Sequence, residues 1–222
     1  MNSPNEQPDY FSNHHLKLRF PWRLYHGPII ESLQRAVDGA SGPNVLNLGS
    51  GPFLELPLIK NRERLSLTAC DIDARAMDEA RRLFGSELRS CDVLTPGAPL
   101  PYPDESFDLV TSMDVVEHIV DPVPWLAEAL RVLKPDGQLF LTTPNYASAS
   151  MNILEATALE LIARAQGFSR RDIHPTKMTP ARLEKFLLDA GGTELEISTV
   201  AFGWVLTAFA KKRRSPCVQH IV

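Results

Sequence analysis

Two rhythms of apolar positions alternate along the 222-residue chain. Short unbroken runs such as Val45-Leu46-Asn47-Leu48 read as buried strands, and longer stretches with apolar residues every three or four positions read as amphipathic helices. In order, the pattern predicts a helix over 29–37 with Pro28 in its first turn, a break at 39–43, and strands at 45–48 and 66–70. A helix over 73–84 closed by Gly85, a strand at 87–91, a proline-rich loop and a strand at 107–112 follow, then a helix over about 122–133 and a strand at 138–143. Strands separated by helices call for an α/β fold, a doubly wound and mostly parallel sheet covered on both faces.

After Asn145 the rhythm changes. Residues 149–165 read as a long helix with no strand behind it, and 167–177 is polar and charged, as a lid would be. Thr179-Pro180 is an N-cap followed by proline, starting a helix to residue 190 that stops at Gly191-Gly192. Strands at 194–200 and 203–210 then pair antiparallel at the C-terminal edge of the sheet. The expected organisation is a single domain: an N-terminal flap and helix (1–40), a core (44–145), a lid-like insertion (146–178), and a closing helix with edge strands (179–210). The basic run Lys211-Lys212-Arg213-Arg214 reads as a solvated tail.

Composition narrows the function. Apolar residues make up 44% of the chain, enough for a sizeable core. With a formal net charge of −4 there is no general basic field, so the expected partner is a small molecule rather than nucleic acid. Cys70, Cys91 and Cys217 form no CxxC pair and are odd in number, which speaks against a cysteine zinc site or a disulfide framework and suits a cytoplasmic setting. No signal-peptide pattern opens the chain, and the longest uncharged apolar run, 197–210, is shorter than the roughly 20 residues of a spanning helix, so no transmembrane segment is expected. Nothing in the pattern fixes an oligomeric state.

The candidate chemistry begins where the first strand runs into Gly49-Ser50-Gly51-Pro52, since glycines there let a ligand approach the backbone. Asp71 ends the second strand, where a carboxylate accepts hydrogen bonds from both hydroxyls of a ribose. A dinucleotide's pyrophosphate would need a third glycine and an open helix N-terminus, but this chain has GSGPFLE, with Glu55 in repelling position. A cofactor with ribose and adenine but no phosphate fits better, and S-adenosylmethionine is one. Asp92, at the end of the third strand, is placed to accept from the adenine amino group, with Ile72 and Val93 enclosing the ring.

The ordered segments VLNLGSGP, ACDIDARAMDEAR, SCDVL, LPYPDESFDLVTSMDVVEHI and LRVLKPDGQLFLTTPN, over about 45–145, resemble the class I S-adenosylmethionine-dependent methyltransferases, whose sheet is Rossmann-like. VTSMDVVEHIVDP, with TTPNY and HPTKMTPARLEKFL, is similar to the ubiquinone-biosynthesis O-methyltransferases, which act on phenolic hydroxyls, and to the small-RNA 3′-terminal 2′-O-methyltransferases. The resemblance implies that Met113 lies against the cofactor and that Arg23 reaches the methionine carboxylate. It also implies a divalent cation such as Mg2+ held by Asp114, Glu117 and His118, with His174 as a fourth ligand. Those families usually carry Glu at the position of Asp114 and glycine at that of Pro52.

If MDVVEH is helical, residues 114, 117 and 118 share one face. A second reading of the cluster makes it a scaffold, with the carboxylate bracing a loop and the imidazole bonding a backbone carbonyl. The expected reaction is methyl transfer to a hydroxyl of a small biosynthetic molecule. N- or C-methylation, RNA 2′-O-methylation and non-catalytic cofactor binding are the alternatives. The hydroxyl proton would go to His118, His174 or His26, in that order, or be made more acidic by the cation. Trp22, Tyr25, Tyr146 and Lys177 either line the acceptor pocket or pack.

Overall fold

Seven strands, β1 (Asn44–Leu48), β2 (Ser66–Asp71), β3 (Leu88–Val93), β4 (Phe107–Met113), β5 (Leu133–Pro144), β6 (Gly192–Val200) and β7 (Val205–Lys212), form one sheet in the order β3-β2-β1-β4-β5-β7-β6. The computed structural model describes residues 20, 23–154, 156–157 and 174–212. Strands β1 to β5 are parallel, while β7 runs antiparallel to both β5 and β6. The mostly parallel sheet with an antiparallel C-terminal edge thus forms; within that edge the last strand is inserted next to β5 and β6 lies outermost.

Strand alternation divides the core into two layers. Leu46 and Leu48 of β1 face α3 (Pro122–Arg131) and α5 (Pro180–Asp189), packing among Leu126, Leu130, Leu183 and Leu187. Val45 faces the other way, with Leu33 and Ala36 of α1 (Arg23–Asp38) and Met77 and Ala80 of α2 (Ala74–Phe84). Thr179 caps its helix as the sequence expects, accepting from the Arg182 amide, and Asp73, read as the first residue of α2, is its cap and accepts from the Arg75 amide.

Register fixes the site. Leu48 pairs with Cys70 and Cys70 with Asp92, so the carboxyl ends of β1, β2 and β3 finish side by side. Chain order reverses between β2 and β4 on either side of β1, which is where ligands bind in open α/β sheets.

Three expectations shift. Pro28 lies inside α1, which begins at Arg23, rather than in its first turn; having no N–H, it cannot donate to the carbonyl of Leu24, an exposed residue one turn before it. Strand β5 starts at Leu133, because Lys134-Pro135-Asp136-Gly137, which reads as a turn, is a bulge: Phe107 pairs with Leu133, but Leu109 already pairs with Gln138. Between β1 and β2 there are only two 3₁₀ turns, Leu56–Leu58 and Arg62–Arg64. The basic run is not a tail over its first two residues: Lys211 and Lys212 complete β7 and pair with Glu194 and Glu105 at 2.6 and 3.2 Å.

The N-terminal flap with Trp22, the lid segment up to residue 173, Arg213, Arg214 and Cys217 lie outside the described residues, as does the predicted helix beyond 157; α4 covers Ala149–Leu154. No helix among the described residues is long and apolar enough to cross a membrane.

Candidate functional site

The loop after β1 turns through two left-handed glycines with different causes. At Gly49 (φ 71°) an added Cβ would lie 2.6 Å from Val115 Cγ2, so the glycine permits close packing of the loop after β4. At Gly51 (φ 50°) an added Cβ would meet no protein atom within 4 Å and would project into open space. The amides of Gly49 and Ser50 both donate to the Cys70 carbonyl, at 2.9 and 3.0 Å, tying the loop to the end of β2.

Asp71 is held from both sides. The Gly51 amide donates to its Oδ2 at 2.8 Å and the Asp73 amide to its Oδ1 at 2.9 Å. Each carboxylate oxygen has a second lone pair, so the fixed group retains acceptor capacity. Ile72, beside it, is 63% exposed. At the end of β3, Asp92 takes hydrogen bonds from Ser90 Oγ at 3.0 Å and Tyr102 Oη at 2.9 Å, both on Oδ2, and the neighbouring Val93 is 48% exposed. Two carboxylates and two exposed aliphatic side chains therefore line one edge of the sheet. Burial pushes the nearby Cys70 thiol up to about 12 and raises that of Cys91 as well, which disfavours the thiolate at both.

The segment MDVVEH is not a helical face. Met113 ends β4 half-buried, Asp114 turns left-handed (φ 54°), and only Val116–His118 coil, as one 3₁₀ turn. Asp114 is exposed, and its Oδ1 accepts from Thr142 Oγ1 at 3.1 Å. Glu117 is buried and accepts from Thr143 Oγ1 at 2.9 Å.

Residues 174–178 dock onto this turn: the Thr176 amide donates to the Glu117 carbonyl, and Tyr146 donates its amide to Met178. Docking brings the His174 ring edge-on to that of His118, 4.7 Å between centroids, with Tyr146 Oη 2.6 Å from His174 Nδ1. One ligand atom from each of Glu117, His118 and His174 then lies within 4.8 Å of the others. Among the described residues this is the group that forms; it includes His174 and not Asp114.

Residues 46–141 match the family model described as a methyltransferase domain. The ubiquinone biosynthesis O-methyltransferase of Xanthomonas oryzae pv. oryzae is 38% identical over 172 residues, covering 72% of this chain and 66% of that protein. The chain belongs to the S-adenosylmethionine-dependent methyltransferases. An uncharacterised methyltransferase of Schizosaccharomyces pombe is 27% identical, covering 79% of this chain and 62% of its own. The S-adenosylmethionine-dependent methyltransferase of Aquifex aeolicus has the same fold, with a TM-score of 0.60 at 19% identity over 87% of this chain and 94% of its own. This methyltransferase chain spans 34% to 66% of the length of the first curated relatives it matches.

Several residues of the candidate site carry no signal in the sequence. Thr142, Thr143 and Tyr102 read as strand and loop residues, yet each fixes a candidate carboxylate. Trp204 lies near Tyr25, 6.4 Å between rings, and donates its indole N–H to Ser150. His26 stacks edge-on against Tyr25, and Lys177 Nζ sits 5.4 Å over the Tyr146 ring. Arg23 opens α1, exposed.

Proposed function

We propose that the protein transfers the methyl group of S-adenosylmethionine to a hydroxyl of a small-molecule acceptor. The observation that carries the cofactor half is the Asp71 carboxylate, fixed by two backbone amides beside the open face of Gly51. That arrangement fits a ribose, and the absence of a helix after the glycine loop among the described residues leaves no N-terminus for a pyrophosphate. Asp92 accepts from the adenine amino group, between Ile72 and Val93. Met113 lies under the reacting end, and Arg23 reaches the methionine carboxylate. The similarity to a ubiquinone biosynthesis O-methyltransferase supports the hydroxyl.

S-adenosylmethionine supplies a methyl group on a sulfonium, which leaves by in-line displacement. The protein's task is therefore alignment, exclusion of water and removal of the hydroxyl proton. His118, exposed at the mouth of the cluster, takes that proton, with His174 behind it.

A divalent cation is the alternative to that base: held by Glu117, His118 and His174, it would occupy the His118 lone pair and would itself make the acceptor hydroxyl more acidic. Thr143 on Glu117 and Tyr146 on His174 hold the two buried ligands, as outer partners of metal sites do. Two imidazoles with one carboxylate suit a transition-metal ion better than Mg2+, which prefers oxygen. Asp114 is held by Thr142 instead, so the scaffold role fits it.

The test is a transfer assay with methyl-labelled S-adenosylmethionine over phenols, hydroxylated metabolites, amines and short RNAs, each with and without a chelator. Label transfer to a hydroxyl compound is the expected result. Transfer only to amines or RNA would overturn the acceptor, and transfer indifferent to chelation would remove the cation.

A further inference from the structure

Tyr102 lies in the loop between β3 and β4, about ten residues from Asp92 in sequence, and has no place in the reading above. Its hydroxyl donates to Asp92 Oδ2 at 2.9 Å, and its ring packs edge-on against Phe107, 5.2 Å between centroids. The loop that carries it is pinned to α3. Arg131 donates to the carbonyls of Leu100 and Tyr102 at 3.0 and 2.9 Å and to Asp104 at 2.7 Å, while Glu128 accepts from the Leu100 amide at 2.9 Å. The ring and its backbone are thus held independently of Asp92, so the hydroxyl is a fixed donor.

Burial, then the neighbouring Cys70 and Asp92, push the Tyr102 phenol well above its ordinary value, so it keeps its proton across any working pH. A permanent donor beside a carboxylate decides which oxygen is used. Ser90 Oγ donates to the same oxygen, Oδ2, at 3.0 Å. With both protein donors on Oδ2, the lone pairs of that oxygen are taken and Oδ1 is the oxygen left with acceptor capacity for a ligand.

The geometry points to Tyr102 as a positioning residue that sets selectivity for the 6-amino group of the cofactor's purine, by fixing which oxygen of Asp92 faces it. This rests on the placement of adenine at Asp92 proposed above. A carboxylate free to rotate would serve an amine less well, because ordering it on binding costs affinity that a pre-oriented acceptor does not lose. Tyr102→Phe removes the donor and keeps the ring that packs on Phe107.

The experiment is calorimetric titration of wild type, Tyr102→Phe and Asp92→Asn with two ligands: S-adenosylhomocysteine, and its analogue with an unsubstituted purine lacking the 6-amino group. Thermal melts of each variant confirm folding. The readout is the ratio of the two dissociation constants. Wild type favours the amine-bearing ligand, Asp92→Asn loses that preference, and Tyr102→Phe reduces it by about three- to tenfold, the range of one hydrogen bond. If Asp92→Asn lowers the ratio and Tyr102→Phe does not, the role of Tyr102 is refuted while the adenine placement stands. If Tyr102→Phe weakens both ligands equally, the residue acts on the fold and not on selectivity, which also refutes it. An undiminished ratio in Asp92→Asn would overturn the adenine placement and the inference with it.

Discussion

Asp71→Ala removes the carboxylate proposed to accept from the cofactor's ribose. The carboxylate takes the Gly51 amide at 2.8 Å and the Asp73 amide at 2.9 Å, so its loss frees the glycine loop from the end of β2 as well as removing the ribose acceptor. Both amides are only half-buried and water can replace the carboxylate, so the stability cost should stay near 1 kcal/mol. The ligand cannot be compensated in that way. A hydrogen bond to a charged acceptor contributes roughly 1.5–3 kcal/mol, which at about 1.4 kcal/mol per tenfold is a loss of roughly 12- to 140-fold in affinity. Isothermal titration with S-adenosylhomocysteine reads this directly, and a thermal melt checks folding. A folded variant whose affinity lies within twofold of wild type would refute the ribose placement.

Gly51→Ala should cost only about 1 kcal/mol of stability, for a left-handed alanine, yet weaken S-adenosylhomocysteine binding far more, since its Cβ enters open space beside Asp71; equal losses in both would count against the cradle. Glu117→Gln should abolish stoichiometric Zn2+ or Mn2+ binding in equilibrium dialysis, and retention of the ion would return the cluster to the scaffold reading. Asp108 contributes to acid stability. Burial raises its pKa, but Lys134 at 2.9 Å and the Asn44 amide and side chain at 3.0 and 3.1 Å outweigh this and hold it below the usual carboxylate range. Its contribution is therefore full above the unfolded value of about 3.9 and is lost as pH falls through the lower folded value. Urea unfolding between pH 5 and pH 2 should show a shallower loss of stability for Asp108→Asn than for wild type; an unchanged slope would contradict that assignment.

What was legible in the sequence is what local patterning encodes. Val45 to Leu48 alternates between the two faces of the sheet as a buried parallel strand must, and Thr179 caps the helix its Thr-Pro start announces. The placement of Asp71 and Asp92 at the carboxyl ends of β2 and β3 was also visible, because each follows a segment with strand patterning.

The bulge at Lys134 to Gly137 was not, since a turn-like tetrapeptide inside a strand is paid for only by pairing with β4, a long-range term. The cluster geometry was hidden for the same reason. In sequence Asp114 is the neighbour of Glu117 and His118, but its left-handed backbone turns it onto Thr142, and the third member, His174, arrives through docking of 174–178. Hydroxyl partners such as Tyr102 and Thr143 carry no spacing signature at all, because register and loop anchoring alone bring them to their carboxylates.

The crevice at the carboxyl ends of β1, β2 and β3 is proposed to hold a phosphate-free adenosine cofactor. Calorimetric titration of the protein with S-adenosylhomocysteine and, separately, with a nicotinamide dinucleotide tests it most directly. The account predicts saturable one-to-one binding of S-adenosylhomocysteine and no heat with the dinucleotide. Binding of the dinucleotide alone would contradict it.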